Sequence, residues 1–98
     1  MYVTRHATSR ARERLGIPKG SVEKNVAKAL TAGISHTETT GSLRRYLDHL
    51  YFSKHQADNI RVMAHYIYLF QGECLITVFQ LPQKYRHTVD KLMGKANG

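Results

Sequence analysis

The sequence predicts an α+β domain: N-terminal helices packed on a small antiparallel β-sheet, with a C-terminal helix. Three observations predict it. Apolar residues recur at three- and four-residue spacing through the first half of the chain. Residues 60–81 are rich in β-branched and aromatic side chains and are broken by turn residues. Pro82 ends that region, and a helical pattern resumes behind it. Helices segregated from an antiparallel meander define this class. At 98 residues the chain has room for one domain, placed over 1–93, with a polar tail at 94–98.

The first helix is expected from Arg5 to Leu15. Thr4 is its N-cap, Gly16 ends it, and Ala7, Ala11 and Leu15 form its buried stripe. The second helix starts between Pro18 and Ser21, with Ser21 as a cap, and stops before Gly33; Val22, Val26, Ala29 and Leu30 face inward. Residues 33–41 form a polar connection or a short edge strand. A third helix is expected from Ser42 to Lys54, because Leu43, Tyr46, Leu47, Leu50 and Tyr51 fit a helical face better than an alternating one. Three strands follow, at 60–63, 66–71 and 74–81. Gly72-Glu73 suits the second link, whereas Ala64-His65 is a poor turn pair, since neither residue favours positive φ. A last helix spans about 83–93, with Tyr85, Val89 and Leu92 inward. The first two helices supply the apolar stripes that cover the sheet.

Lys and Arg number 15 against 7 Asp and Glu, a formal net charge of +8. Such a surface concentrates polyanions, and phosphate backbones are the commonest of these. Cys74 is a single cysteine, so no internal disulfide forms; it sits in an apolar run and is expected to be buried and inert. No apolar stretch reaches signal-peptide or membrane-span length, so the expected setting is cytoplasmic, without a membrane partner. The six histidines have no metal-ligand spacing, and no glycine-rich phosphate loop or paired-carboxylate motif is present, so neither metal nor cofactor is expected.

The densest candidate site is His6-Ala7-x-x-Arg10-x-x-Glu13-Arg14. His6, Arg10 and Glu13 share one helical face at i, i+4 and i+7. An imidazole can exchange protons near neutral pH, and a guanidinium one turn away suits a phosphate oxygen. The competing explanation is an intrahelical ladder with an Arg10–Glu13 ion pair. The run RHATSRARERLGI, followed by a second helix and a sheet carrying Ile76-Thr77-Val78, resembles small phage and mobile-element domains. These belong to the barnase–EndoU–colicin–RelE ribonuclease-like superfamily. The resemblance implies a RelE/barnase-like fold and a toxin-like, metal-independent endoribonuclease, or a relative that binds without cleaving. On that likeness His6 is base or acid, Arg10 stabilises the crowded phosphate, Arg61 is a second cation and Thr77 positions a phosphate. RNA would be cleaved and DNA would not, because the 2′-hydroxyl is the nucleophile.

A second basic group, Arg44, Arg45 and Tyr46, combines backbone contact with base stacking; Lys84, Tyr85 and Arg86 repeat that composition near the C-terminus. With Arg14 these are the candidate nucleic-acid contacts. Tyr66, Tyr68 and Phe70 alternate along one strand, as either a stacking platform or a face packed on helices. Three functions stay open: an RNA-directed basic domain, with or without endoribonuclease activity; a non-catalytic regulator that binds RNA or DNA; and a phage-type protein that binds a host protein or an inhibitor.

Overall fold

The computed structural model describes residues 2–53 and 57–97. In chain order the elements are β1 (Tyr2–Val3), α1 (Arg5–Leu15), α2 (Lys19–Ala32), β2 (Ile34–Ser35), a 3-10 turn (His36–Glu38), α3 (Gly41–Ser53), β3 (Asn59–Met63), β4 (Tyr66–Gln71), β5 (Cys74–Gln80), a second 3-10 turn (Gln83–Tyr85) and α4 (Arg86–Asn97). The class is the expected α+β. The sheet runs β1-β5-β4-β3-β2; β2 to β5 pair antiparallel, and β1 adds to β5 in parallel.

The caps act much as their residue types dictate. Thr4 Oγ1 accepts from the Ala7 N–H at 3.0 Å, and Gly16, at φ 66°, donates its N–H to the Arg12 carbonyl. The start of α2 differs from expectation. Pro18 is its N-cap, so Ser21 lies inside the helix and caps nothing. Proline presets the φ needed there and contributes no orphan N–H. Gly33 leaves α2 so tightly that a Cβ would stand 2.4 Å from the Ala29 carbonyl oxygen.

The sheet is covered on both faces rather than one. Ala7, Ala11, Val22, Val26 and Ala29 of α1 and α2 pack on Met63, Tyr68, Phe70, Leu75 and Val78. On the opposite face Leu43, Leu47 and Val89 of α3 and α4 pack with Tyr85 on Ile60, Val62, Ile67 and Leu69. Alternate residues of β4 therefore enter different cores. This is why Tyr-Ile-Tyr-Leu-Phe reads as a continuous apolar run. Tyr68 and Phe70 are buried against helices, so the stacking-platform alternative for that stripe fails.

Three further differences have local causes. The Ala64-His65 link closes as a tight turn with Ala64 at φ 54°, anchored where the Leu81 N–H donates to the His65 carbonyl at 2.8 Å. Cys74 is half-buried, not buried, because it opens β5 at the point where β1 and β4 flank it. α4 continues to Asn97, beyond the expected stop at 93. The expected helix end at Lys54 lies outside the described residues. Among the described residues no helix is long and apolar enough to cross a membrane.

Candidate nucleic-acid interface

Among the described residues the outer edge of β5 has no partner strand beyond Leu75, since β1 reaches only Cys74 and Leu75. Arg14, on the last turn of α1, covers that edge. Its guanidinium donates to the Val78 carbonyl at 2.5 Å and to Thr77 Oγ1 at 3.4 Å, and it lies 5.0 Å from the centroid of the Phe79 ring. Arg14 and Thr77 thus meet each other across 63 positions of sequence.

The four residues assigned to cleavage are not gathered at one point. His6 is exposed and Arg10 half-buried on the side of α1 away from α2; among the described residues neither makes a side-chain hydrogen bond or ion pair. Arg61 stands opposite Tyr68, and Tyr68 opposite Val78, so Arg61 lies on the sheet face away from Thr77 as well as two strands, about 10 Å, from it. Its Nε donates to Asn59 Oδ1 at 3.2 Å and its Nη1 to the Gly33 carbonyl at 3.1 Å, which ties β3 to the end of α2.

Arg61 instead lines a cleft of about 340 Å³ with Ser35, His36, Thr37, Tyr51, Asp58 and Asn59. There His36 Nε2 is bonded to the Asp48 carboxylate, and the His36 ring stacks on Tyr51 with centroids 6.4 Å apart. Glu38 closes the neighbouring turn: its carboxylate accepts from the Ser35 N–H at 3.0 Å and the Ser35 hydroxyl at 2.9 Å. These bonds, and then the Arg61 charge, hold the Glu38 carboxyl below its ordinary pKa against a small desolvation. The His36–Asp48 pair was not singled out in the sequence, because its members lie 12 residues apart on different elements. Asp48, Glu38 and Asp58 make this cleft a poor seat for a phosphate.

The two basic groups predicted separately do converge. Tyr46 of α3 meets Tyr85 of the second 3-10 turn with centroids 5.3 Å apart, and Lys84 Nζ sits 5.2 Å from the centroid of the Tyr85 ring. Tyr85 is 8% exposed and belongs to the core beneath α3 and α4, while Tyr46 is half-buried against it, so Tyr46 is the ring of the pair that solvent reaches. At 100° per residue Arg45 and His49 stand on the Tyr46 side of α3, while Arg44 stands beside Asp48. Arg45 and Lys84 are exposed at the rim. Arg86 is half-buried beside Tyr85, with its Nε buried and without a hydrogen-bond partner.

Electrostatics favour anions here. Ion pairs among the described residues are His36–Asp48 and His65–Asp90, and no Lys or Arg among them is paired with a carboxylate. Asp58 instead accepts from the Gly72 N–H at 2.8 Å. Among the described residues no three His, Cys, Asp or Glu side chains are grouped to hold a metal; His55 lies outside them. No family model, curated protein or solved structure matches the chain.

Proposed function

We propose that this chain is an RNA-directed basic domain that grips single-stranded RNA on the surface formed by α3, the second 3-10 turn and the start of α4. The observation that carries this reading is the absence of carboxylate partners for Lys and Arg among the described residues, in a chain of net charge +8. Unpaired cations are free to displace counterions from phosphates. The half-buried Tyr46 ring, with exposed Arg45 beside it and exposed Lys84 over the Tyr85 ring that it meets, adds what a single strand needs: a π-surface beside backbone contacts. RNA rather than DNA follows from the resemblance of the His6–Arg14 run to ribonuclease-like domains.

Fluorescence anisotropy with a 12-nucleotide single-stranded RNA tests the reading across a salt series. Affinity should fall steeply with salt, and Arg45→Ala should flatten the log–log slope by about one unit. Tyr46→Ala, checked for folding by circular dichroism, should weaken binding by about 1–3 kcal/mol. A salt-independent or undetectable interaction removes the proposal. A nuclease-resistant, stoichiometric complex with a protein would replace it.

Cleavage is a second reading, favoured by the unengaged donors of His6 and Arg10 one turn apart on α1. Incubation with RNA in EDTA decides it. Activity that is lost in His6→Ala and Arg10→Ala supports a metal-independent endoribonuclease; equal residual activity in both variants and the parent reduces the domain to a binder.

A further inference from the structure

On the opposite face of the sheet from the Tyr46–Tyr85 surface, Val3, Arg5, Thr8, Ser9, Arg12 and Lys19 line a cleft of about 360 Å³. Three of the six are cations, two carry hydroxyls, and none is an acid. Arg5, Thr8, Ser9 and Arg12 follow the i, i+3, i+4, i+7 pattern, so they form one stripe of α1, turned away from the buried Ala7 and Ala11. Lys19 comes from the next helix: Gly16, in the left-handed conformation, turns the chain so that the first residue of α2 closes the cleft.

Local electrostatics alone would not place these charges so. Arg5 and Lys19 are the first residues of α1 and α2, at the ends where helix dipoles repel cations, and neither first turn carries an acid. Among the described residues Arg5, Arg12 and Lys19 have no ion-pair or hydrogen-bond partner; Glu13 lines an adjoining groove with Ser9 and Arg12 but forms no ion pair there, so no direct pairing offsets their mutual repulsion. An anion would. A backbone diester carries one charge, fewer than three cations can match, whereas a phosphomonoester carries close to two and offers three acceptor oxygens to guanidinium, ammonium and hydroxyl donors.

We propose that this cleft is a phosphomonoester site, taking free phosphate or the terminal phosphate of a nucleotide or oligonucleotide. Arg5 and Arg12 bind oxygens from two sides, Lys19 supplies the third charge, and the Thr8 and Ser9 hydroxyls donate to the remaining lone pairs. The site stands apart from the RNA surface, since inorganic phosphate tests it without any RNA.

The experiment is a two-dimensional ¹H–¹⁵N titration of the full chain with inorganic phosphate at constant ionic strength. Thr8, Ser9 and Lys19 amides should shift along saturating curves. Arg12→Ala and, separately, Lys19→Ala should each weaken the fitted affinity about tenfold or more, while Lys28→Ala, on the exposed face of α2, should not. Both test residues are exposed, and unchanged spectra elsewhere would verify their folds. A 5′-phosphorylated dinucleotide binding about tenfold tighter than phosphate assigns the site to nucleic-acid ends; equal affinity assigns it to free phosphate. Shifts that fail to saturate, or that persist unchanged in Arg12→Ala and Lys19→Ala, overturn the proposal.

Discussion

Replacing Arg14 with alanine tests whether a cation that resembles a nucleic-acid contact is engaged in holding the fold. The guanidinium contributes a charge-assisted hydrogen bond to the Val78 carbonyl and a contact with the Phe79 ring. A hydrogen bond to a charged group is worth about 1.5–3 kcal/mol. The lower end applies, because Arg14 is half-buried and water can reach the open β5 edge once it leaves. The cation–π contact adds about 0.5–1 kcal/mol. The expected loss is therefore about 2 kcal/mol. With a urea m-value of about 1–2 kcal/mol/M, the unfolding midpoint should fall by about 1–2 M. Arg12→Ala, an exposed cation two positions earlier, should stay within about 0.5 kcal/mol of the parent. Arg14→Lys should recover part of the loss, since an ammonium keeps the charge but not the planar donor fork. A midpoint for Arg14→Ala within error of the parent would refute the reasoning: the β5 edge would then be sealed without Arg14, and its guanidinium would be free to contact phosphate.

Other outcomes follow from single positions. Ala64→Gly should raise stability by about 0.5–1 kcal/mol in the same urea assay, because φ 54° strains any residue with a Cβ more than glycine's extra freedom costs. Gly33→Ala should cost about 2–3 kcal/mol or more, since its Cβ meets the Ala29 carbonyl at 2.4 Å and that atom belongs to the helix backbone. Burial, and then the Tyr66 charge, push the Tyr68 phenol up to about 12. Its folded-state pKa is raised, so its contribution is whole below the ordinary value near 10 and is lost as pH climbs through about 12. Tyr68→Phe should flatten that alkaline decline in chemical denaturation at stepped pH; an identical decline in the variant would discount burial as the cause. Glu38 behaves oppositely: its folded-state pKa is depressed, so its contribution is present above the ordinary carboxylate value and fades as pH falls through the depressed one. Glu38→Gln should remove that acid-side dependence from a pH series of thermal melts, while unchanged curves would count against the Ser35 bonds.

Local signals made the elements legible. Thr4 and Gly16 bracket α1 because capping and left-handed termination are properties of single residue types. The helical choice for α3 rested on Leu43, Tyr46, Leu47, Leu50 and Tyr51; Leu43 and Leu47 are buried and Tyr46 and Leu50 half-buried as that pattern requires, whereas Tyr51 at the end of the face is exposed. What escaped the sequence depends on partners far along the chain. β1 is two residues long and exists only because β5 returns beside it, so no alternation could announce it. Burial of both sheet faces was masked because Ile67 and Leu69 and their neighbours Tyr68 and Phe70 are equally apolar. At the candidate sites, composition found Arg45-Tyr46 and Lys84-Tyr85, but only the fold brings the two tyrosines together. Arg5, Arg12 and Lys19 read as scattered surface charges until the turn at Gly16 assembles them.

The placement of β4 between two separate cores has a kinetic corollary. Either helical layer can loosen while the other still shields one side of the strand, so its amide hydrogens should be among the last to exchange with solvent and track complete unfolding. Transient detachment of α3 and α4 would bare Ile67 and Leu69 while leaving Tyr68 and Phe70 dry. Motions of the outer helices are thereby uncoupled from collapse of the whole, leaving the side formed by α3 and α4 room to shift above a persistent central plank.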